Sequence, residues 1–382
     1  MKIGIDARLY GPKHRGIGRY IFKLIENLEQ LDWGNQYTIF LEQENFDDYS
    51  PSNENFTKAL LPYRWYSIKE QIFLARELRK HNLDFVHFPN FNVPFFFRHP
   101  FIVTIHDLVL DHFPGERATQ LPKPFYYLKL LAYRDVIRHA IKHAKTVITP
   151  SEFTSRDILS KYKISASRIR RVYLGAPYAK KDFVKVPEYV QTRFGINRDY
   201  LLYVGAAYPH KNLETLISAF SILLENTKKD YQLVLASKKD FFYSRLEKEI
   251  KENYPKHISH RIIFTDYVLE KDMPQLYANA RLYIFPSFYE GFGLPPLEAM
   301  AHGVPVIASD VPCLKEILGD AAVYFSPEDQ KQLAQTMSVL LPDHERLEEM
   351  KQKGFTKVEE YSWEDFAKNT LQVYNDVEAM LD

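Results

Sequence analysis

Short apolar runs recur along this chain, most of them followed by a stretch whose apolar residues return every third or fourth position. The runs are rich in Val, Ile, Phe and Tyr and predict strands, while the 3.6-residue return predicts helices. In the first half strands are expected at 2–7, 37–41, 85–88, 101–105 and 146–149. In the second half they are expected at 200–204, 232–236, 262–264, 282–285, 304–308 and 322–325. Helices are expected at 17–28, 67–80, 213–224 and 294–301. A last one is expected over 363–381, where Phe366, Leu371, Tyr374, Val377 and Leu381 keep helical spacing. Alternation of this kind, with compact apolar strands, predicts parallel sheets covered on both faces. The alternation restarts near Tyr200, after a polar, Lys-rich stretch at 178–199 that reads as an interdomain linker.

Composition sharpens the picture in three places. At 382 residues and 46% hydrophobic content, the chain has material for two cores. The net charge of +1 excludes a generally nucleic-acid-binding character, but the balance is uneven. From Glu116 to Lys185 there are sixteen Lys and Arg against five Asp and Glu, which points to an anionic partner for the first half. Cys313 is the only cysteine, so no internal disulfide is expected and a reducing compartment fits. The opening reads as a first strand rather than a signal peptide, being broken by Asp6 and Arg8, and no run reaches membrane-spanning length.

Candidate chemistry gathers where strands give way to helices. After the strand ending at Phe285 come Ser287, Glu290, the turn Gly291-Phe292-Gly293, and a helical stretch holding Glu298. Two carboxylates with seven residues between them thus flank a flexible turn where open α/β sheets place ligands. Free amides at a helix start favour a phosphate oxygen. A carboxylate about one turn into the helix can accept hydrogen bonds from sugar hydroxyls. Gly16 and Gly18 follow the first strand and open a helix, allowing close backbone approach to a phosphate. No third glycine and no acid after the second strand complete a dinucleotide fingerprint, which disfavours a dehydrogenase. His106-Asp107 ends a buried strand, and Gly205 to Leu213 again runs from a strand into a helix through His210 and Lys211.

The string Glu290-Gly-Phe-Gly-Leu-Pro-Pro-Leu-Glu298, continued by Glu-Ala-Met-Ala-x-Gly-x-Pro-Val-Ile-Ala-Ser, resembles the signature of the family 4 glycosyltransferases. The resemblance implies a retaining enzyme of GT-B fold, with two Rossmann-like α/β domains whose parallel sheets face each other across a cleft. The expected domains are 1–180, for the acceptor, and 181–362, for the sugar nucleotide, with 363–382 packing back on the first. His106 is then expected at the transferred sugar, near its C6 hydroxyl. Asp107 either positions His106, faces the acceptor or caps the next turn. Glu290 would hold the sugar's hydroxyls and Glu298 the ribose. Lys211, Gly16, Gly18, Phe292, Gly293 and Leu294 would meet the nucleotide end of the donor. His210 stands where the family usually has Arg, and Asp266 where many members have Gly, which leaves the base unassigned. Ser151, in a serine cluster of the family's kind, also reads as a simple N-cap.

The implied reaction moves a hexose, mannose favoured, from GDP-mannose to a glycan or lipid-linked acceptor in cell-surface polysaccharide synthesis. A sugar-nucleotide epimerase of the same fold, a transferase using a UDP-sugar and a binding protein without turnover are the alternatives. No cofactor is implied beyond the nucleotide-sugar co-substrate. No Asp-x-Asp pair or zinc-spaced cluster suggests a metal. Residues 121–145 mix aromatics, leucines and basic residues in a way that suits an anionic membrane surface as well as an ordinary half-buried helix. The expected location is cytoplasmic, peripheral at the inner face of the membrane.

Overall fold

Strands that are apolar on both sides have to be covered on both sides, and both sheets of this protein are built that way. The computed structural model describes residues 1–11, 14–115, 119, 121–227 and 229–381. The Arg15 side chain and the start of the basic block, Glu116 and Arg117 included, lie outside the described residues. The chain forms two compact units. One takes in Met1–His112, Leu121–Gly175 and Ser362–Asp382; the other takes in Phe113–Gln120 and Ala176–Tyr361.

The first unit is built on seven parallel strands: β1 (Lys2–Asp6), β2 (Gln36–Leu41), β3 (Phe56–Leu60), β4 (Phe85–Phe88), β5 (Phe101–Thr104), β6 (Thr146–Thr149) and β7 (Ile169–Arg171). Their order is β3-β2-β1-β4-β5-β6-β7, with Ile5 level with His87 across the β1–β4 pair. The second unit holds six: β8 (Tyr200–Val204), β9 (Gln232–Ala236), β10 (Ile262–Phe264), β11 (Leu282–Phe285), β12 (Val306–Ser309) and β13 (Ala322–Phe325). These run parallel in the order β10-β9-β8-β11-β12-β13. Each sheet reverses its strand order once, between β1 and β4 and between β8 and β11. Doubly wound sheets bind ligands outside the carboxyl ends of the strands at such a switch point.

Two strands escaped the pattern reading, β3 and β7. Both are edge strands carrying basic residues, Lys58 in one and Arg170 and Arg171 in the other, so neither shows an apolar run. The stretch taken for a linker carries the helix Pro187–Phe194, tied down where the Tyr189 hydroxyl donates to Asp272 (2.6 Å) and Val186 N donates to Gln275 (2.9 Å). Its apolar content is too low for periodicity to reveal it.

The helix Arg15–Leu31 turns Tyr20, Ile21, Leu24, Ile25 and Leu28 inward. Against it lies the C-terminal helix Trp363–Glu378, started by Ser362, whose hydroxyl accepts from Glu364 N and Asp365 N. Phe366 meets the Tyr20 ring at 4.9 Å, and Tyr374 reaches His87. His87 is fully buried, with Nδ1 2.7 Å from the Tyr374 hydroxyl and Nε2 2.9 Å from Thr104 Oγ1. Burial first, and the nearby His106 second, push its pKa down from 6.5 to about 3. A histidine held neutral in this way contributes stability that is present above its unfolded pKa and lost as pH falls from about 6.5 toward 3. Between pH 7 and pH 5 this group is expected to withdraw roughly 2 kcal/mol. Thermal unfolding of His87→Gln should therefore have a shallower pH slope than wild type over that range; an unchanged slope would contradict the assignment.

Candidate active site

At the carboxyl edge of the second sheet the chain lays two loops side by side, one after β8 and one after β11. The first turns at Gly205 (φ 152°) and reaches the short 3-10 turn Pro209–Lys211, after which Asn212 takes a left-handed conformation and starts the helix Leu213–Asn226. The second runs from Pro286 to Gly293 and starts the helix Leu294–Ala301. Three bonds join the loops. Phe288 N donates to the His210 carbonyl (2.8 Å), Asn212 Nδ2 donates to the Pro286 carbonyl (2.9 Å), and Lys211 Nζ pairs with Glu290 Oε1 at 2.7 Å. Both partners of that ion pair are largely shielded, with side-chain exposures of 18% and 12%, so their attraction is screened less than a surface pair's.

Glu298 lies one turn into its helix, where the Tyr277 hydroxyl donates to Oε2 at 2.9 Å. Tyr277 itself is buried and stacked on His302, whose Nδ1 donates to the Glu298 carbonyl (2.7 Å). The carboxylate is thus set by a residue 21 positions away that no motif flagged. Gly293 has φ 103°, a conformation that favours glycine, and an added Cβ would come within 2.9 Å of Leu314 Cδ2. The amide supply at this helix start is narrower than the sequence suggested. Pro295 and Pro296 occupy the second and third helical positions and carry no N–H, leaving Gly293 and Leu294 to offer theirs. The Phe292 ring turns away from the turn and packs edge-on to Tyr361 at 5.6 Å.

Ser287, fully buried just after β11, has a hydroxyl with no hydrogen-bond partner among the described residues. This orphan hydroxyl, three residues before Glu290 and just after the strand beside β8, was named in the sequence reading but given no role. A polar residue directly after a strand at the switch point was the available signal.

His210 sits in the loop as a neutral residue. Burial, with Lys211 adding to it, lowers its pKa to about 3, and the ring stacks on Tyr208 at 5.9 Å. At pH 7 it therefore brings no charge, and the cationic part falls to Lys211. Asp266 has φ 55°, the left-handed region that glycine adopts freely, and Asp is one of the few other residues to tolerate it.

In the first unit, His106 and Asp107 follow β5. His106 Nε2 donates to the Pro89 carbonyl at 2.8 Å, so Nδ1 is left as the acceptor of a neutral ring. Burial lowers its pKa, which favours that neutral form. The ring stands edge-on to Tyr20 at 4.9 Å. Asp107 Oδ1 accepts from Val109 N (2.9 Å) and caps the following turn, one of the three roles open to it. Gly16 is exposed, whereas Gly18 is buried against the loop after β1. Ser151 acts as an N-cap, its hydroxyl accepting from Thr154 N at 3.1 Å. The structure thus brings Lys211, Glu290, Gly293, Leu294 and Glu298 to one edge of the second sheet, and His106, Asp107, Gly16 and Gly18 to the corresponding edge of the first.

Comparison with known proteins agrees with this arrangement. Residues 14–179 match the Glycosyltransferase Family 4 model, and residues 190–357 match the model for glycosyl transferases group 1. O-antigen chain mannosyltransferase B of Escherichia coli is 28% identical over 94% of this chain and 95% of its own. O-antigen chain mannosyltransferase RfbU of Salmonella typhimurium is 27% identical over 73% of this chain and 71% of its own. In fold, the chain is similar to sucrose-phosphate synthase from Thermosynechococcus elongatus (TM-score 0.77, 21% identity, all of both chains). It is also similar to WaaG, a glycosyltransferase involved in lipopolysaccharide biosynthesis (TM-score 0.73, 16% identity, 98% of this chain and 99% of that one). Two parallel Rossmann-like sheets, the paired-glutamate turn on the second and these matches across both halves make the chain a glycosyltransferase of GT-B fold that belongs to family 4.

Proposed function

We propose that this enzyme moves mannose from GDP-mannose to a glycan or lipid-linked acceptor in cell-surface polysaccharide synthesis, with retention of anomeric configuration. The observation that carries the reading is the Lys211–Glu290 pair beside Glu298 at the switch point of the second sheet. The names of the two mannosyltransferase relatives support the sugar and the polysaccharide context.

Loss of a nucleoside diphosphate builds negative charge on the leaving phosphate and positive charge at the anomeric carbon. Lys211 and the amides of Gly293 and Leu294 neutralise the phosphate. One such preorganised donor is typically worth about 3–4 kcal/mol of barrier. Glu290, held by Lys211, accepts from the sugar's hydroxyls and fixes its orientation. Glu298, set by Tyr277, accepts from the ribose diol. His106 Nδ1, the acceptor of a neutral ring, is what the first unit offers to a sugar hydroxyl. The departing phosphate takes the acceptor's proton, so no protein nucleophile is needed and attack comes from the leaving-group face. The sugar nucleotide is a co-substrate, and no further cofactor or metal enters the scheme.

Removing the hydroxyl that sets Glu298 tests one link of the scheme. Tyr277→Phe is expected to raise the donor KM up to about tenfold with kcat within about twofold, since a neutral-to-charged hydrogen bond is worth roughly 1.5 kcal/mol. An unchanged donor KM would remove Glu298 from the ribose.

The reading places the enzyme on the cytoplasmic side, at the anionic membrane surface. What supports this is the helix Lys123–His143, whose Phe125 (65%), Leu128 (66%) and Leu131 (58%) stand exposed beside Lys123 and Lys129. No helix among the described residues is long and apolar enough to cross a membrane. Thermal-shift screening against GDP-, UDP- and ADP-sugars tests the donor: GDP-mannose is expected to raise the melting temperature most, and stabilisation by UDP-sugars alone would overturn that choice.

A further inference from the structure

His106 is held by more than its own strand. Side chains two apart on a strand share a face, and so do residues level with each other on neighbouring strands. His87 of β4 is level with Ile102 of β5, and Thr104 and His106 follow Ile102 at steps of two. The extended run persists past β5, since Ile105 N still donates to the Ile148 carbonyl at 2.9 Å. His87, Thr104 and His106 therefore stand on one face of the first sheet. Two helices bring tyrosines to that face, Arg15–Leu31 with Tyr20 and Trp363–Glu378 with Tyr374.

A chain of hydrogen bonds runs through these residues. The Tyr374 hydroxyl lies 2.7 Å from His87 Nδ1, His87 Nε2 lies 2.9 Å from Thr104 Oγ1, and Thr104 Oγ1 lies 2.9 Å from the Tyr20 hydroxyl. Burial keeps His87 neutral at pH 7. A neutral imidazole donates from one nitrogen and accepts at the other, so it joins the two hydroxyls into one chain. All four residues are buried, and a broken link leaves a polar atom that water does not reach. The last step is a ring contact. Tyr20 stands edge-on to His106 at 4.9 Å with 86° between the planes, and Phe366 meets the same Tyr20 ring at 4.9 Å.

Packing alone does not call for this chain, because Phe at both tyrosine positions would fill the space without burying polar groups. What the hydroxyl adds is direction. Tyr20 is tied at its backbone and again at its far end, so its ring has little room to swing. His106 has one hydrogen bond of its own, from Nε2 to the Pro89 carbonyl, which fixes one atom and leaves the ring free to tilt about it. The Tyr20 edge supplies the second constraint, and with it the direction of the Nδ1 lone pair. A satisfied buried network rigidifies one arrangement in this way. Displacing a reacting-site group by about 1 Å can cost on the order of 10²-fold in rate.

We propose that Tyr20 is a positioning residue for His106, set from the C-terminal helix through Tyr374, His87 and Thr104; the sugar contact of His106 rests on the glycosyltransferase reading above. Long-range proton–nitrogen NMR on the whole chain, with nitrogen-15 in its histidine rings, tests it. The His106 signals are those missing in His106→Gln, and wild type is expected to show that ring protonated at Nε2 alone. Tyr374→Phe, at the far end of the chain, and Tyr20→Phe are both expected to move these signals. Both variants keep their rings, so a moved signal reports the hydrogen-bond chain and not a lost ring. In transfer assays each is expected to lower kcat several-fold, and Tyr20→Leu about tenfold or more, with the donor KM within about twofold. Tyr20→Phe carries the kinetic test should Tyr20→Leu melt early. Added to His106→Gln, Tyr20→Phe should cost no further rate, since a residue that acts only through His106 has nothing left to position. His106 signals unmoved in Tyr374→Phe would overturn the relay. Signals unmoved in Tyr20→Phe, or losses that multiply in the double variant, would overturn the positioning role. If the signals move but His106→Gln transfers sugar normally, the relay stands and the sugar contact of His106 is what fails.

Discussion

Replacing Glu290 by Gln is expected to lower sugar transfer by roughly 10²–10³-fold while the dissociation constant for GDP changes by less than about threefold. Gln keeps the length of the side chain and a carbonyl oxygen for Lys211, so the loops after β8 and β11 stay joined through Phe288 N and Asn212 Nδ2. What is lost is the negative charge that balances Lys211 across 2.7 Å and that the proposed scheme sets against the sugar. Lys211→Ala should behave in the opposite sense, weakening nucleotide binding as well as transfer, because in the proposed scheme the ammonium meets the diphosphate in ground and transition states alike. Combining the two should cost less than the product of the single losses, as expected for groups in direct contact. Steady-state kinetics with calorimetric titration of GDP separates these outcomes. Normal transfer by Glu290→Gln would remove that residue from the sugar.

Gly18→Ala is expected to destabilise the first unit by about 3 kcal/mol or more and to abolish transfer, whereas Gly16→Ala should melt like wild type. A Cβ on Gly18 would lie 2.0 Å from the Gly11 carbonyl oxygen and 3.0 Å from that of Leu9, both backbone atoms that can move only with the loop. A Cβ on Gly16 would meet nothing within 4 Å. The two glycines share a motif but not a reason: Gly18 lets the helix start pack against the loop after β1, and Gly16 stands in open space. Calorimetric melting of both variants checks the contrast. A Gly16→Ala enzyme with native stability and weakened donor binding would tie Gly16 to the donor. Equal melting of Gly18→Ala and wild type would contradict the packing.

Strands written as unbroken apolar runs were legible, whether central and buried on both faces or, like β10 and β13, at an edge but free of charged residues. β4, β6, β8, β9, β10, β11 and β13 have the bounds that pattern suggests. β3 and β7 were not legible, since an edge strand with Lys or Arg on it looks like a loop. The helix Trp363–Glu378 was readable as a helix from its spacing, but its partner, the helix Arg15–Leu31, lies more than 300 residues away and no local pattern names it. Glu290 and Glu298 could be marked because both sit on one strand–turn–helix segment. The Lys211–Glu290 pair could not, because it joins residues 79 apart and exists only because β8 and β11 are neighbours in the sheet. Tyr277 escaped for the same reason: it comes from a short helix whose own sequence gives no hint that the fold sets it beside Glu298.

Incubation of the enzyme with GDP-mannose carbon-13 labelled at the anomeric position and methyl α-mannoside, followed by NMR, tests the central claim most directly. An α-linked disaccharide appearing in step with released GDP, and absent with Glu290→Gln, is the expected result. A donor left untouched, a β-linked product, or a new sugar nucleotide formed without any acceptor would contradict it.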